Sequence, residues 1–347
     1  MSELTFFIGL QVKQKEDGIF ISQDKYMTQI LKNFGFSDVK TASTPMETYK
    51  LLLKDTDVDE HLYRSMIGSL MYLTSSRPDI MFAVCACARF QVNPKSSHLY
   101  AVKRIFRYLK GQPKLGLWYP KDSPFDLVAY TDSDYAGASL NRKSIIGGCQ
   151  FLVYRLISWQ CKKQIVVANS TTEAEYIVGS NCCGQVLWIQ NQLLYYGYNF
   201  MQTKIHIDIE STICINKNPI FHSKTKHIEI RHHFIRDSYE KKLIQMIKIY
   251  TDHNVTDLLI KVFDVSRLQY LIAMLLVILN IAELILLVIL TTAGMNGIGV
   301  NAGDSKLMLL GNLNLTMLLN GMSVRLYTIQ AVKVNAVRHK LKTAGER

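Results

Sequence analysis

The chain has 347 residues, enough for two or three domains with sizeable cores. Lys and Arg number 40 against 28 Asp and Glu; the net charge of +12 favours a polyanionic partner, nucleic acid or an anionic membrane surface. The seven cysteines form no CxxC pair and are odd in number, which argues against a zinc site and a disulfide framework, and the N-terminus lacks the basic and apolar segments of a signal peptide.

Residues 4–22 alternate loosely around Phe6-Phe7-Ile8-Gly9-Leu10-Gln11-Val12 and Gly18-Ile19-Phe20-Ile21. Two strands joined near Asp17-Gly18 make a hairpin. Ser22 is the expected cap of a helix over Lys25–Phe34, stopped by Gly35. A loop follows through Pro45. Three helices are then expected, over Tyr63–Leu73, over Ile80–Gln91 with Asp79 as its cap, and over His98–Lys110. No Asp or Glu occurs from Ile80 through Lys121. Lys103, Arg107 and Lys110 share one face of the third helix, with Arg104 beside them, and such a face suits a phosphate backbone.

From Phe125 the pattern changes to strands. The run to Tyr130 ends in Thr131-Asp132-Ser133-Asp134-Tyr135-Ala136-Gly137, a buried strand presenting carboxylates at its C-terminal end. A carboxylate held there needs a positive partner, and hard divalent cations take oxygen ligands. Ser144–Val153 and Leu156–Trp159 are further strands. Ser170-Thr171-Thr172-Glu173 is a capping signature for a helix reaching Tyr195. Ile205-His206-Ile207-Asp208 is a strand ending in an acid, and Ser211 opens a short helix. Ile228–Lys242 is expected as a basic helix and Leu243–Tyr250 as a strand. A last helix starts at Val255-Thr256-Asp257. Four acids thus recur at element edges: Asp132, Glu175, Asp208 and Asp257. The three tryptophans, Trp118, Trp159 and Trp188, lie in apolar surroundings and are expected in the core. His222, His227, His232 and His233 are poorly spaced for a transition metal.

The stretches 131–137, 170–176 (Ser-Thr-Thr-Glu-Ala-Glu-Tyr) and 221–229 (Phe-His-Ser-Lys-Thr-Lys-His-Ile-Glu) together resemble the ribonuclease H domain of copia-type retrotransposon polyproteins. Residues 6–12, and Gly68–Leu73 through Arg77-Pro78-Asp79, resemble the end of the reverse transcriptase and its connection region. The resemblance implies an α/β fold: a ribonuclease H-like mixed five-stranded sheet with flanking helices, preceded by a reverse transcriptase palm-end hairpin and a helical connection region. The implied segments are a reverse transcriptase remnant (1–50), a helical thumb- or connection-like region (51–122), a ribonuclease H-like domain (123–265) and a tail (266–347).

The resemblance also implies chemistry: cleavage of the RNA strand of an RNA–DNA hybrid with two Mg²⁺ ions, or Mn²⁺ in their place, held by Asp132, Glu175, Asp208 and Asp257. Glu173 is better explained as a cap and Asp134 as a support behind the ligands. His253, in the loop before Asp257, is the candidate for product release. Lys224, Lys226, Arg231 and Arg236 are candidates for the hybrid's phosphates, with Lys103, Arg104, Arg107 and Lys110. The family's polymerase carries a Tyr-x-Asp-Asp turn that this sequence lacks, so no DNA synthesis is expected unless a reverse transcriptase acts in trans. Ile209 and Ile260 stand where the family usually has Asn and Thr. Loss of those hydrogen bonds beside the carboxylates weakens such a centre, and the alternative is a catalytically inactive remnant that only binds nucleic acid. The segment 271–290 carries only Asn280 and Glu283 as polar residues, and its length and hydrophobicity allow a membrane-spanning helix. Cytoplasmic or nuclear action is what the resemblance implies; a membrane is the alternative through that segment.

Overall fold

Phe6–Phe7 (β1), Leu10–Lys15 (β2) and Gly18–Ser22 (β3) form an antiparallel meander, and the turn expected at Asp17-Gly18 joins β2 to β3. The computed structural model describes residues 5–47, 56–121, 125–138, 141–152, 154–217 and 227–276. All fall within one compact unit, Met1–Ile278. Helix α1 (Asp24–Asn33) follows, with Gln23 rather than Ser22 at its N-cap; Ser22 is buried at the end of β3. Asp59 caps α2 (Glu60–Leu73), accepting from the His61 amide at 2.9 Å.

Asp79 does not cap the next helix. It sits in a 3-10 turn, Pro78–Ile80, and receives Arg77 Nε and Nη2 at 2.9 and 2.7 Å and the Tyr108 hydroxyl at 2.8 Å. A buried guanidinium needs a counter-charge, and that demand outweighs a cap. Helices α3 (Met81–Ala88) and α4 (Ser96–Gly111) complete the helical block. A strand without clear sequence pattern, β4 (Leu117–Pro120), then pairs antiparallel with β3. The first sheet therefore has four strands, in the order β1-β2-β3-β4, and the helical block lies between two of its neighbours in the chain.

The second sheet is built from β5 (Leu127–Ser133), β6 (Ile145–Leu152), β7 (Arg155–Lys163), β8 (Thr203–Ile207) and β9 (Ile244–Lys248). Its order is β7-β6-β5-β8-β9. Strands β5, β6 and β7 are antiparallel, while β5, β8 and β9 run parallel. Helix α5 (Thr171–Leu194) makes the crossover from β7, and α6 (Glu210–Lys217) and α7 (Phe234–Glu240) lie between β8 and β9. This is the ribonuclease H-like mixed five-stranded sheet that the motifs imply. Its core joins Leu127 and Ala129 of β5 and Ile205 and Ile207 of β8 to Tyr176, Cys183 and Val186 of α5.

Two further elements, and one tryptophan, differ from expectation. The helix expected over Ile228–Lys242 is a 3-10 turn, Ile230–His232, followed by α7. The helix expected at Val255 is a short 3-10 turn, Val255–Leu259, and α8 begins only at Val265, running to Leu276. Trp118 is in the core, but Trp188 is 58% exposed. Helix α5 buries Cys182, Val186 and Ile189, and Trp188 shares the opposite face with Asn181, Gly184 and Asn191. Of the apolar segment 271–290, the part in α8 buries Leu271, Ile272, Leu275 and Leu276; residues 277–290 lie outside those described. Among the described residues no helix is long and apolar enough to cross a membrane.

Candidate metal centre

Asp132 is the penultimate residue of β5, the strand flanked by both its antiparallel and its parallel neighbours. Parallel pairing sets Tyr130 against His206. Continued by two residues, that register carries Asp208, just past the end of β8, to the side of Asp132. Glu175 comes from the first turns of α5. Ser170 fixes where that helix begins, its hydroxyl accepting from the Glu173 amide at 3.0 Å. Glu173 accepts in turn from the Asn169 backbone and side-chain amides at 2.6 and 3.1 Å. The cap therefore uses Glu173 and leaves Glu175 to face the sheet, as the sequence implies.

Asp132, Glu175 and Asp208 each bring a carboxylate oxygen within 4.8 Å of the other two. At that distance two full charges repel by about 3.5 kcal/mol in an effective dielectric near 20. Asp132 and Glu175 are buried, 2% and 1% exposed. Glu175 Oε1 accepts from the Ser133 amide and hydroxyl at 2.7 and 2.8 Å. Its Oε2, and Asp208 Oδ1, are buried without a donor among the described residues. Buried carboxylate oxygens with no donor are what a cation would satisfy. The donor set, oxygen only and carboxylate-rich, fits a hard divalent ion.

The protonation of the cluster points the same way. Burial, then the adjoining Asp257 carboxyl and the Glu175 charge, push Asp132 up to about 10 against the pull of Lys261. Burial and the Asp208 charge push Glu175 up to about 7, against the two Ser133 hydrogen bonds. Burial also raises Asp208. Burial and mutual repulsion thus make all three carboxyls hold protons more firmly than free ones, Asp132 most of all, and a cation among them would displace those protons.

Asp257 is buried in the 3-10 turn Val255–Leu259 and adjoins Asp132, but it is outside the group of three. Two features bring its turn to the sheet. Asn254, fully buried, donates from Nδ2 to the Thr131 carbonyl at 3.1 Å and accepts from the Thr256 hydroxyl at 2.6 Å. Gly147, paired with Asp132 across β5 and β6, leaves room for the turn: a Cβ there would lie 2.7 Å from Ile260 Cγ2 and 3.1 Å from the Thr256 carbonyl. Ile260 is thus a core residue seated on that glycine. Lys261 Nζ reaches Asp257 Oδ1 at 2.5 Å and Asp132 Oδ2 at 3.2 Å. One ammonium cannot neutralise both charges, and we assign its pairing to Asp257, the nearer, with Asp132 protonated. The acids raise Lys261 to about 12 against its own burial. Arg267 Nη2 stands 3.8 Å from Asp257 Oδ2.

Asp134 serves the turn instead of the cluster. Its Oδ1 accepts from the Ile145 amide at 2.5 Å, and Gly137 has no Cβ where its Oδ2 folds back. Burial raises its carboxyl. Asp208 Oδ2 accepts from the Thr251 hydroxyl at 3.4 Å, and His253 closes the same 3-10 turn, Thr251–His253.

The basic candidates have mixed surroundings. Lys103 is exposed. Arg104 pairs with Glu47 at 2.7 Å, Lys110 donates to the Val39 carbonyl at 2.8 Å, and Arg107 lies over the Tyr100 ring at 5.2 Å. Arg231 pairs with Glu229 at 2.5 Å. Arg236 donates from Nε to the Ile215 carbonyl at 3.1 Å and leaves Nη2 without an acceptor among the described residues. Lys224 and Lys226 lie outside the described residues. Sequence reasoning missed Lys261, Arg267, Asn254 and Ser133. Only Lys261 carried a signal, its spacing of four from Asp257.

No family model matches the chain. It is similar to the retrovirus-related Pol polyprotein from transposon TNT 1-94 of Nicotiana tabacum, 38% identical over 274 residues, covering 76% of this chain and 21% of that one. It is also similar to the Pol polyprotein from transposon RE1 of Arabidopsis thaliana, 36% identical, covering 77% and 18%. The chain thus spans about a fifth of the length of these curated relatives. An uncharacterised mitochondrial protein of Arabidopsis thaliana is 38% identical over 185 residues, 53% of this chain and 77% of that one. Among solved structures, a ribonuclease H1 isolated from compost aligns with 39% of this chain and 92% of that one, at 15% identity and a TM-score of 0.30.

Proposed function

Because the chain belongs to the family of retrovirus-related Pol polyproteins of copia-type transposons, we propose that its ribonuclease H-like domain cleaves the RNA strand of RNA–DNA hybrids at a divalent-metal centre. The observation that carries the reading is the meeting of Asp132, Glu175 and Asp208 within 4.8 Å, with donorless oxygens on Glu175 and Asp208. Asp132, Glu175 and Asp208 hold the ion, Mg²⁺ or Mn²⁺, and Asp257 adjoins them as the fourth acid. When bound, such an ion neutralises charge on a phosphate and acidifies a water. Ser133 aims Glu175 by holding Oε1 with two hydrogen bonds, so that Oε2 faces the cluster. Asn254 anchors the Asp257 turn to β5. Lys103, Arg104, Arg107, Lys110, Lys224, Lys226, Arg231 and Arg236 contact the phosphates, and His253, near Asp208, assists release of product. In a polyprotein setting the hybrid would come from a polymerase outside these 347 residues, which carry no Tyr-x-Asp-Asp turn.

The test is cleavage of an end-labelled RNA–DNA hybrid by the full chain. Mg²⁺-dependent cutting of the RNA strand, abolished by Asp132→Asn, is expected. Binding of the hybrid without any cutting in Mg²⁺ or Mn²⁺ would refute the enzyme and leave the inactive nucleic-acid-binding alternative.

A further inference from the structure

Resting on the metal centre proposed above, we infer that Lys261 is a built-in counter-ion for the Asp132–Asp257 half of the site. The chain takes its first divalent ion on Asp132, Glu175 and Asp208, and admits a second beside Asp257 only by displacing the Lys261 ammonium.

Four features of the site carry this. The acids within common reach are three, and Asp257 is not among them. Both Asp257 oxygens already face cations, Oδ1 with Lys261 at 2.5 Å and Oδ2 with Arg267 at 3.8 Å. Lys261 also contacts Asp132 Oδ2 at 3.2 Å, so its ammonium lies between the Asp132 and Asp257 carboxylates. The buried oxygens without a donor among the described residues belong to Glu175 and Asp208; neither is hydrogen-bonded to Lys261, whose charge reaches Asp208 only through space. Position and charge thus divide the cluster into an open half and a half already neutralised.

The arrangement follows from the local chain. The Lys261 amide donates to the Asp257 carbonyl at 3.0 Å, a turn that returns the side chain at position i+4 over the acid at i. Lys261 is 38% exposed at its side chain, whereas Arg77, held by Asp79 in the helical block, is 2% exposed. A flexible stem with access to water lets the ammonium leave without breaking the fold. Lys261 is therefore a positioning and specificity residue, which sets the order and number of ions and ligates none.

The probe is Mn²⁺, counted by electron paramagnetic resonance and titrated calorimetrically into the full chain without nucleic acid. Wild type is expected to bind one ion, with a second more than about 10-fold weaker. Lys261→Met should tighten the second site by about 10- to 100-fold, the range of one lost charge-assisted hydrogen bond, and the first site much less. Lys261→Gln, which keeps a donor but no charge, should move in the same direction and guards against a folding failure in the Met variant. Two equal sites in the wild type, or a second site unchanged in both variants, would overturn the inference and leave the metal centre standing. Absence of Mn²⁺ binding in wild type and Asp132→Asn alike would overturn the metal centre itself.

Discussion

Replacing Glu175 by Gln removes one charge from the acid cluster and keeps the oxygen that Ser133 holds. The structure sets the size of the effect. Ionising Glu175 in the fold is held off until about pH 7, against 4.5 for a free glutamate. At 1.36 kcal/mol per pH unit, the charged form costs about 3 kcal/mol of stability once pH is well above 7. A carboxyl whose folded value is raised stabilises the fold fully only below its unfolded value, and that stability is lost as pH rises toward the folded one. The gain from Glu175→Gln in EDTA should therefore be about 1 kcal/mol near pH 5 and about 3 kcal/mol near pH 8. For a unit of this size that is a rise in Tm of about 2–4 °C and about 6–12 °C respectively. Saturating Mg²⁺ should reverse the order at about pH 8, because wild type alone retains the full ligand set. Thermal unfolding by circular dichroism reads all four conditions. A variant less stable than wild type in EDTA at the higher pH, or a gain independent of pH, would refute the placement of Glu175 in a repelling, ion-seeking cluster.

Other changes test the frame around the centre. Asn254→Ala should cost about 1–3 kcal/mol, because it leaves the buried Thr131 carbonyl and Thr256 hydroxyl without their partner; a Tm within about 1 °C of wild type would contradict that role. Gly147→Ala puts a methyl 2.7 Å from Ile260 Cγ2 and should cost about 1–3 kcal/mol in urea unfolding while weakening Mn²⁺ binding through displacement of the Asp257 turn. Arg77→Met strands Asp79 in the core of the helical block, with an expected loss of about 3–5 kcal/mol. Arg77→Met with Asp79→Asn together should lose less than Arg77→Met alone, as a double-mutant cycle would show.

What the sequence disclosed is what periodicity and capping chemistry encode locally. The apolar run ending at Tyr130, the Ser170–Glu173 cap and the acids at strand ends all lead to the observed sheet and to the meeting of Asp132, Glu175 and Asp208. The cap also gives Glu173 a place of its own, its Oε2 accepting both Asn169 amides outside the group of three acids. What stayed hidden depends on partners distant in the chain. Asp79 has the look of an N-cap until Arg77 and Tyr108 converge on it. The strand Leu117–Pro120 owes its form to β3, nearly a hundred residues earlier, and not to its own pattern. Trp188 is apolar but falls on the outward face of a helix whose apolar residues surround it, so periodicity could not assign it. Ile260 reads as a lost hydrogen bond beside a ligand, yet it packs on Gly147 and helps to seat the Asp257 turn. Lys261 is visible only as an i+4 neighbour until Asp132, 129 positions away, closes the pair.

The most direct test is anomalous diffraction from crystals of the full chain soaked in Mn²⁺. The predicted result is a peak about 2.0–2.3 Å from one oxygen each of Asp132, Glu175 and Asp208. A well-ordered site with those three carboxylates in place and no peak among them, at Mn²⁺ concentrations that occupy other sites in the same crystal, would contradict a shared-ion centre.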